Sequence, residues 1–339
     1  MSPIEGNRGR CSPGEPRLAL SIVIPVYNGA GSIAELVGAL EDLPIAGGHE
    51  IVLVNDGSAD DSLALCQTLI ERARVPMTLL NLARNYGEHN AVITGLRYAA
   101  GEHIITMDDD LQNPPDEVQR LLAFAQRSGK EVVYTYYDDK QHSAWRNLAS
   151  RFANRVADFV LDKPPSLYMS SFRCVTAFVA REVTRYEGPF PYIDGLILQV
   201  TDNIGTLPVR HLPRATGASN YTMRRLLRLS MNMFVNFSVM PLRISTITGF
   251  ALSAFGAVGV GMAVSEALLS SPPPGWASLM AAVLLLSGVQ LMILGIIGEY
   301  LGRLYLTANR KPQSVIREVR RAELRAQADS AAPRLTERA

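Results

Sequence analysis

Residues 18–29 read LALSIVIPVYNG, an apolar and β-branched run that ends at a polar turn. Such a run predicts a buried strand, Leu18 to Val26, that leads into a loop. The pattern recurs at Glu50 to Val54, Met77 to Leu82 and His103 to Met107, with helical segments between the runs. Strands that alternate with helices predict an α/β fold with a doubly wound, mostly parallel sheet, whose ligands bind at the carboxyl ends of the strands.

Composition excludes several classes of protein. The 339 residues include 33 Lys and Arg against 32 Asp and Glu, which gives a net charge of +1. A chain with this balance lacks the excess of positive charge that binding to nucleic-acid phosphates needs, so we expect no nucleic-acid partner.

The three cysteines are odd in number and far apart, which fits neither a disulfide framework nor a zinc site. Residues 1–17 are polar, lack the apolar core of a signal peptide, and predict a disordered lead-in to an α/β domain at 18–220.

Two long apolar segments follow this domain, at residues 244–268 and 279–298. Each is long enough to cross about 30 Å of hydrocarbon as a helix, and the alternative is a pair of buried core helices. Arginines flank the pair, among them Arg243 and Arg303, whereas the connector between the segments has no Lys or Arg. The positive-inside rule therefore predicts two transmembrane helices, with both termini and the α/β domain in the cytoplasm.

Charged segments border the two apolar ones. Residues 221–240 combine arginines with apolar side chains, which predicts an interfacial amphipathic helix on the membrane. Residues 303–339 contain nine Lys and Arg against four Asp and Glu. We predict a basic cytoplasmic tail there, which binds anionic headgroups or packs against a neighbouring subunit.

Three aspartates directly follow the fourth predicted strand. In an extended chain Asp108, Asp110 and Gln112 share one side, and Asp109 points to the other. Two carboxylates and an amide oxygen suit Mg²⁺, which combines one or two carboxylates with substrate phosphates. The alternative is a solvated acidic loop, but the position at the carboxyl end of a strand favours the metal site.

Three other polar residues leave two interpretations open. Asp56 ends the second strand, where it either binds a nucleobase or ribose or caps the following helix. Arg84 either pairs with a phosphate or decorates a loop. Arg146 follows Trp145 in a basic helical stretch, which is either an anion site near the membrane or a solvated face.

Four short motifs lie at the ends of the predicted strands: IPVYN (24–28), NDGS (55–58), RNYG (84–87) and DDDLQNPP (108–115). In this order they resemble the motifs of family 2 glycosyltransferases with a GT-A fold. A further motif, GEYLGR at residues 298–303, narrows the resemblance to the polyprenyl-phosphate glycosyltransferases. The resemblance covers residues 18–320 and implies inverting transfer of a sugar from a nucleotide sugar, with uridine expected, to a lipid phosphate.

The resemblance implies roles for the matching residues. Asp108 and Asp110 would be catalytic and, with Gln112, would hold Mg²⁺ or Mn²⁺. The nucleotide sugar would be bound by Pro25, Tyr27, Asn28, Asp56, Arg84 and Asp108. The acceptor phosphate would be bound by Arg146, Ser150 and Lys140, and an active-site loop would contain Arg214, Gly217, Ser219 and Tyr221. The resemblance further implies a multi-pass, homo-oligomeric protein of the bacterial inner membrane that serves cell-envelope glycan or lipid modification.

The chain departs from the family pattern at three positions. Gly29 stands where many relatives carry Glu. Leu167 stands near a position where others carry an acidic residue, so no general base is carried over to it. Tyr137 stands in place of a second family arginine. A phosphate acceptor is already anionic at neutral pH, so the reaction does not require a strong base.

Two other functions compete with this interpretation. A processive polysaccharide synthase shares the catalytic fold, but it usually carries a Gln-x-x-Arg-Trp motif and more membrane spans than the sequence predicts here. A membrane scaffold or lipid-carrier-binding protein would keep the fold and lack turnover. The presence of Asp108, Asp110 and Gln112 argues against the scaffold, and metal-dependent turnover of a nucleotide sugar would distinguish a sugar transferase from it.

Overall fold

The computed structural model describes residues 18–137, 167–188, 191–212, 240–269, 275–309 and 312–322. The strands in these ranges are β1 (Leu20–Val26), β2 (His49–Asn55), β3 (Met77–Leu82), β4 (His103–Thr106), β5 (Val132–Tyr136), β6 (Arg173–Thr176), β7 (Ile204–Pro208) and β8 (Ile316–Arg321). They form one sheet in the order β7-β5-β6-β4-β1-β2-β3-β8. The helices are α1 (Ile33–Glu41), α2 (Ser62–Glu71), α3 (Glu88–Leu96), α4 (Pro115–Ser128), α5 (Ala177–Thr184), α6 (Ile193–Val200), α7 (Met240–Leu269) and α8 (Trp276–Ala308).

The central strands β3, β2, β1 and β4 pair in parallel, which confirms the predicted α/β fold. Helices cover both faces of this part of the sheet. Ile22 and Ile24 belong to a core that includes residues of α1, α2 and α4, and Val23 belongs to a second core with α3, α5 and α6. Each fully buried side chain of this kind contributes about 1.5–3 kcal/mol to stability. The carboxyl ends of the four strands therefore share one edge of a well-packed sheet.

Beyond β4 the sheet changes direction. β6 pairs antiparallel with both β4 and β5, and β7 pairs parallel with β5. Thr106, the last residue of β4, therefore lies opposite Arg173, the first residue of β6. This pairing brings the chain just before β6 beside the three aspartates that follow β4.

Residues 316–321 join the sheet, which corrects their assignment to a basic tail. β8 pairs antiparallel with β3, with Leu80 opposite Val319 and Asn81 opposite Glu318. Its sequence, IREVRR, lacks the alternation of apolar and polar residues by which a strand is recognised. Charged side chains are common on edge strands because they hinder pairing with another sheet.

Gln313 fastens the segment before β8 to the α/β domain. Its side chain is 7% exposed, and its amide nitrogen donates to the carbonyl oxygens of Tyr186 and Gly188, each at 2.8 Å. Its amide oxygen accepts from Arg97 at 2.6 Å. Beside it, the hydroxyls of Ser314 and Thr94 are hydrogen-bonded at 2.7 Å. The end of α8 is thereby tied to the domain within a few residues.

Replacing Gln313 by Ala is expected to destabilise the domain by about 2–3 kcal/mol, because two carbonyl groups lose their donor inside the protein. The measurement is the thermal unfolding midpoint of the purified full-length chain. Gln119→Ala is the matched control, since this exposed glutamine makes one bond to the carbonyl of Pro44. Equal midpoints for the two variants would show that the segment is not fastened in this way.

The predicted membrane segments lie within α7 and α8. The two helices pack against each other, and many of their apolar side chains are exposed, such as Phe250 (75%) and Leu291 (69%). This exposure argues against the alternative of buried core helices. Among the described residues, Leu286–Ala308 is the one stretch that meets the length and mean hydropathy of a membrane span. The lead-in at 1–17 and residues 221–239 lie outside the described residues.

Candidate active site

The candidate site lies where β1, β2, β3 and β4 end, as the sheet topology requires. Loops after β1 and β2 are joined through Asn28, whose backbone adopts a φ of 55°. Its N–H donates to the Ser58 hydroxyl at 3.1 Å, and its side-chain oxygen accepts from the N–H of Ala59 at 2.9 Å. Asn28 thus organises the edge of the sheet, whereas its neighbour Tyr27 is 49% exposed and Pro25 is partly buried at the end of β1.

Asp56 is committed to the loop after β3. It is 2% exposed, and its two carboxylate oxygens accept from the N–H groups of Tyr86 at 2.7 Å and Gly87 at 2.8 Å. Burial raises the pKa of this carboxyl, while the two backbone donors lower it. The carboxylate therefore holds the loop before α3 and does not cap α2, which was one of the two interpretations of the sequence. A role in nucleotide binding stays a prediction.

Arg84 lies on the same loop and is exposed. Its guanidinium stands 4.8 Å from the centre of the Tyr86 ring, within the range of a cation–π contact. This contact orients the side chain at the edge of the sheet. A charged guanidinium in that position is available for pairing with a phosphate, which was one of the two interpretations of the sequence.

The three aspartates diverge. Asp108 accepts a hydrogen bond from the Ser171 hydroxyl at 2.7 Å, and Asp110 accepts one from the N–H of Gln112 at 3.1 Å. Asp109 turns toward the loop after β1, where it accepts from the N–H of Tyr27 at 3.3 Å. A Cβ at Gly29 would overlap the Asp109 carboxylate. The carboxylate therefore fills the space beside Gly29, the position where many relatives carry Glu.

Burial is the main influence on the pKa values of Asp108 and Asp109. It raises the pKa of Asp109 to about 7, with the charges of Asp108 and Asp110 adding to the shift. Burial also raises the pKa of Asp108, and the negative charge of Glu88 acts in the same direction. Grouped carboxyls of this kind gain from a bound cation, because a positive charge offsets both desolvation and mutual repulsion.

The predicted alternation ends at Leu111, which has a φ of 60°. The strand geometry assumed for Gln112 is therefore wrong. Its amide nitrogen lies 3.2 Å from Nε2 of His211 and 3.4 Å from the carbonyl oxygen of Leu212. Gln112 thus joins the loop after β4 to the chain after β7, and its place among the metal ligands stays a prediction.

The side chains present fit a divalent cation that is completed by substrate phosphates. Within the described ranges, no three His, Cys, Asp or Glu residues are arranged to hold a metal by themselves. Mg²⁺ is commonly bound through one or two carboxylates together with phosphate oxygens, so a complete protein cage is not required. Asp108 and Asp110 are the residues that would supply those carboxylates.

Leu167 and Tyr137, where the chain departs from the family pattern, are among the described residues, whereas several predicted site residues are not. Leu167 is 6% exposed and belongs to the second core, so its position offers no base. Tyr137 donates from its hydroxyl to Asn113 at 3.2 Å, and its ring lies 4.0 Å from that of His211. The predicted residues outside the described ranges are Lys140, Arg146, Ser150, Arg214, Gly217, Ser219 and Tyr221.

β6 and β7 bring further residues to the site at the carboxyl end of β4, and no sequence pattern predicted them. Ser171 bonds Asp108, and Arg173 lies buried behind it at 3% exposure. His211 comes into contact with Gln112 from the chain after β7. A strand of four residues, RCVT, with only two apolar residues and an arginine at its start, carries little signal for an antiparallel insertion.

Known proteins match both halves of the chain. Residues 21–183 match the model of glycosyl transferase family 2, and residues 240–304 match the model of the GtrB C-terminal hairpin. The chain is 33% identical over 317 residues to undecaprenyl-phosphate 4-deoxy-4-formamido-L-arabinose transferase of Pseudomonas savastanoi pv. phaseolicola, which covers 89% of this chain and 91% of that protein. It is 34% identical over 319 residues to the protein of the same name from Edwardsiella ictaluri, covering 89% and 94%.

A solved structure shows a lower similarity. Glucosyl-3-phosphoglycerate synthase from Mycobacterium tuberculosis, in complex with Mn²⁺, uridine diphosphate and glucosyl-3-phosphoglycerate, is 17% identical to the chain. The match covers 65% of this chain and 78% of that one, with a TM-score of 0.48.

Proposed function

Because the chain belongs to glycosyl transferase family 2, we propose that it transfers the sugar of a nucleotide sugar, expected to be a UDP-sugar, to undecaprenyl phosphate. The observation that carries this proposal is the position of Asp108 and Asp110. Both follow β4, at the edge of the sheet where the parallel strands β1, β2 and β3 also end. The two relatives described above match most of the chain, and both are named as undecaprenyl-phosphate transferases, which supports this acceptor.

The sheet edge suggests how the donor is oriented. The nucleoside would lie over the ends of β1, β2 and β3, where Tyr27 and Arg84 are exposed. Its diphosphate would then face Asp108 and Asp110, which would hold Mg²⁺ or Mn²⁺. When bound, the cation supplies Lewis-acid stabilisation of the departing nucleoside diphosphate. Arg84 would add a charge-assisted hydrogen bond to a phosphate.

The acceptor phosphate would attack the anomeric carbon from the side opposite the leaving nucleotide, which inverts the configuration at that carbon. An oxygen of the anionic phosphate is itself the nucleophile, so this chain needs no strong general base. The burial of Leu167 in the core agrees with a reaction of this kind. Residues that orient the acceptor phosphate would come from the predicted set Arg146, Ser150 and Lys140.

A lipid acceptor requires access to a membrane. The outward-facing apolar side chains of α8, with the span-length stretch Leu286–Ala308, support attachment to the bilayer. The segment that ends at β8 would keep the α/β domain close to that surface. Two spans, the cytoplasmic placement of the domain and assembly into homo-oligomers complete the proposal.

The test is a transfer assay on the full-length chain in detergent. Undecaprenyl phosphate, Mg²⁺ or Mn²⁺, and a panel of UDP- and GDP-sugars are supplied, and released nucleotide and lipid product are measured. We expect nucleotide release that needs both lipid and metal, with one sugar on each lipid. Products with several sugars would favour the processive synthase, and binding of UDP without turnover of any donor would favour the non-catalytic scaffold.

A further inference from the structure

We propose that a buried chain of hydrogen bonds, running from Asp194 through Arg173, Thr106 and Ser171, positions Asp108 for binding the metal. We call this chain of hydrogen bonds the Asp194 relay. The inference rests on the proposed function, in which Asp108 is one of the carboxylates that hold the cation. Its members are positioning residues, because only Asp108 would touch the metal.

The relay meets the site at Ser171. The hydroxyl of this residue donates to Oδ2 of Asp108 at 2.7 Å. A hydroxyl has one proton to donate, so only Oδ2 of the Asp108 carboxylate accepts a hydrogen bond from Ser171. The other oxygen, Oδ1, is then the one directed to a cation. Ser171 orients Asp108 only if its own backbone is held in place.

The backbone of Ser171 is held from β4. Thr106 donates from its hydroxyl to the carbonyl oxygen of Ser171 at 2.6 Å. The same hydroxyl accepts from Nε of Arg173 at 3.3 Å. Thr106 and Arg173 are 2% and 3% exposed. Because Arg173 supplies the donor, the proton of the threonine hydroxyl is left to point at Ser171.

Arg173 is held in turn by Asp194. Its Nη1 forms an ion pair with Oδ1 of Asp194 at the start of α6, and the Tyr134 hydroxyl donates to the same oxygen at 2.9 Å. Asp194 is 7% exposed and Tyr134 is fully buried. A guanidinium buried without a partner is strongly destabilising, so the Asp194 carboxylate is what allows Arg173 to lie behind the site.

Stability alone is a weak reason for this arrangement. A buried ion pair often stabilises a protein no better than apolar residues of the same volume. The structure also contains an internal comparison, since Thr135 is fully buried and donates to the carbonyl of Phe172 at 2.7 Å. That bond has the same chemistry one residue further along the chain, but it does not include the residue that bonds Asp108.

The test compares Thr106→Val with Thr135→Val in the full-length chain. Mn²⁺ binding is measured by electron paramagnetic resonance with saturating UDP, and thermal midpoints are recorded for each variant. We expect Thr106→Val and Ser171→Ala to raise the apparent Kd for Mn²⁺ about tenfold, the scale of lost outer-shell contacts. Thr135→Val should change it less than about twofold at a similar midpoint. At saturating Mn²⁺, kcat of Thr106→Val should return to within about twofold of the unmodified chain.

The variants separate failure of the relay from failure of the proposed function. Equal changes in Kd for Thr106→Val and Thr135→Val, or no change in either, would overturn the relay and leave the metal site intact. Absence of Mn²⁺ binding in the unmodified chain would overturn both. Asp194→Asn is the strongest break in the relay and is expected to raise the apparent Kd for Mn²⁺ at least as much as Thr106→Val. If this variant does not fold, the two threonine variants decide the question.

Discussion

Replacing Asp110 by Asn is expected to lower turnover about a thousandfold or more, equivalent to about 4 kcal/mol of transition-state stabilisation. The substitution keeps the shape of the side chain and removes one of the two charges proposed to hold the cation. Folding should be preserved, because loss of a charge next to Asp109 reduces repulsion among the carboxyls. The measurement is metal-dependent nucleotide release with undecaprenyl phosphate, alongside the thermal midpoint.

Asp202→Asn is the matched control for this variant. Asp202 is exposed in the turn before β7, at the opposite end of the strands from Asp110. We expect its turnover to stay within about twofold of the unmodified chain, because surface substitutions of this kind have small effects. Retention of more than a tenth of the activity in Asp110→Asn would contradict the assignment of Asp110 to the reaction.

The second large effect is expected at Gly57, which has a φ of 65°. A Cβ there would lie 2.5 Å from the carbonyl carbon of Arg84 and from the backbone nitrogen of Asn85. Because both contacts are backbone atoms, Gly57→Ala must push apart the loops after β2 and β3. We expect a loss of about 3 kcal/mol or more in stability and at least tenfold weaker binding of UDP, measured by thermal unfolding and calorimetry.

Gly129→Ala isolates the steric part of this effect. Gly129 follows α4 with nearly the same φ, 62°, but a Cβ there meets no atom within 4 Å. The two variants therefore share the cost of a left-handed conformation, about 1–2 kcal/mol. We expect Gly129→Ala to lose only that amount and to bind UDP normally. Similar losses in both variants would mean that the two loops do not need their close contact.

Much of the site follows from short-range patterns. The apolar run at residues 20–26 and the three later runs of the same kind predict the parallel strands. A strand that is buried on both faces needs apolar residues at nearly every position. Polar residues directly after those strands must then meet at one edge. The position of Asp108 and Asp110 could therefore be predicted before any coordinates, as could the long apolar helices.

Other features depended on partners that are distant along the chain. Asp56 could be read as a nucleotide ligand or a helix cap, and only the approach of Tyr86 and Gly87 shows that its two oxygens are engaged. The strand geometry predicted for Gln112 ends at the left-handed turn at Leu111, and only the tertiary contacts show that its amide lies beside His211. Such outcomes depend on loop contacts, and those contacts have no periodic signature in the sequence.

Local residue patterns are enough to predict the parallel strands, the acidic edge of the sheet and the long apolar helices α7 and α8, because burial imposes a pattern of residue types on each element. The antiparallel pairing of β6 with β4 and of β8 with β3 is seen only in the folded chain. Strand pairing is made by backbone hydrogen bonds, which nearly any residue can supply. A charged segment such as IREVRR can therefore form the last strand of the sheet although its sequence does not predict a strand. Its position is determined by its backbone pairing with β3.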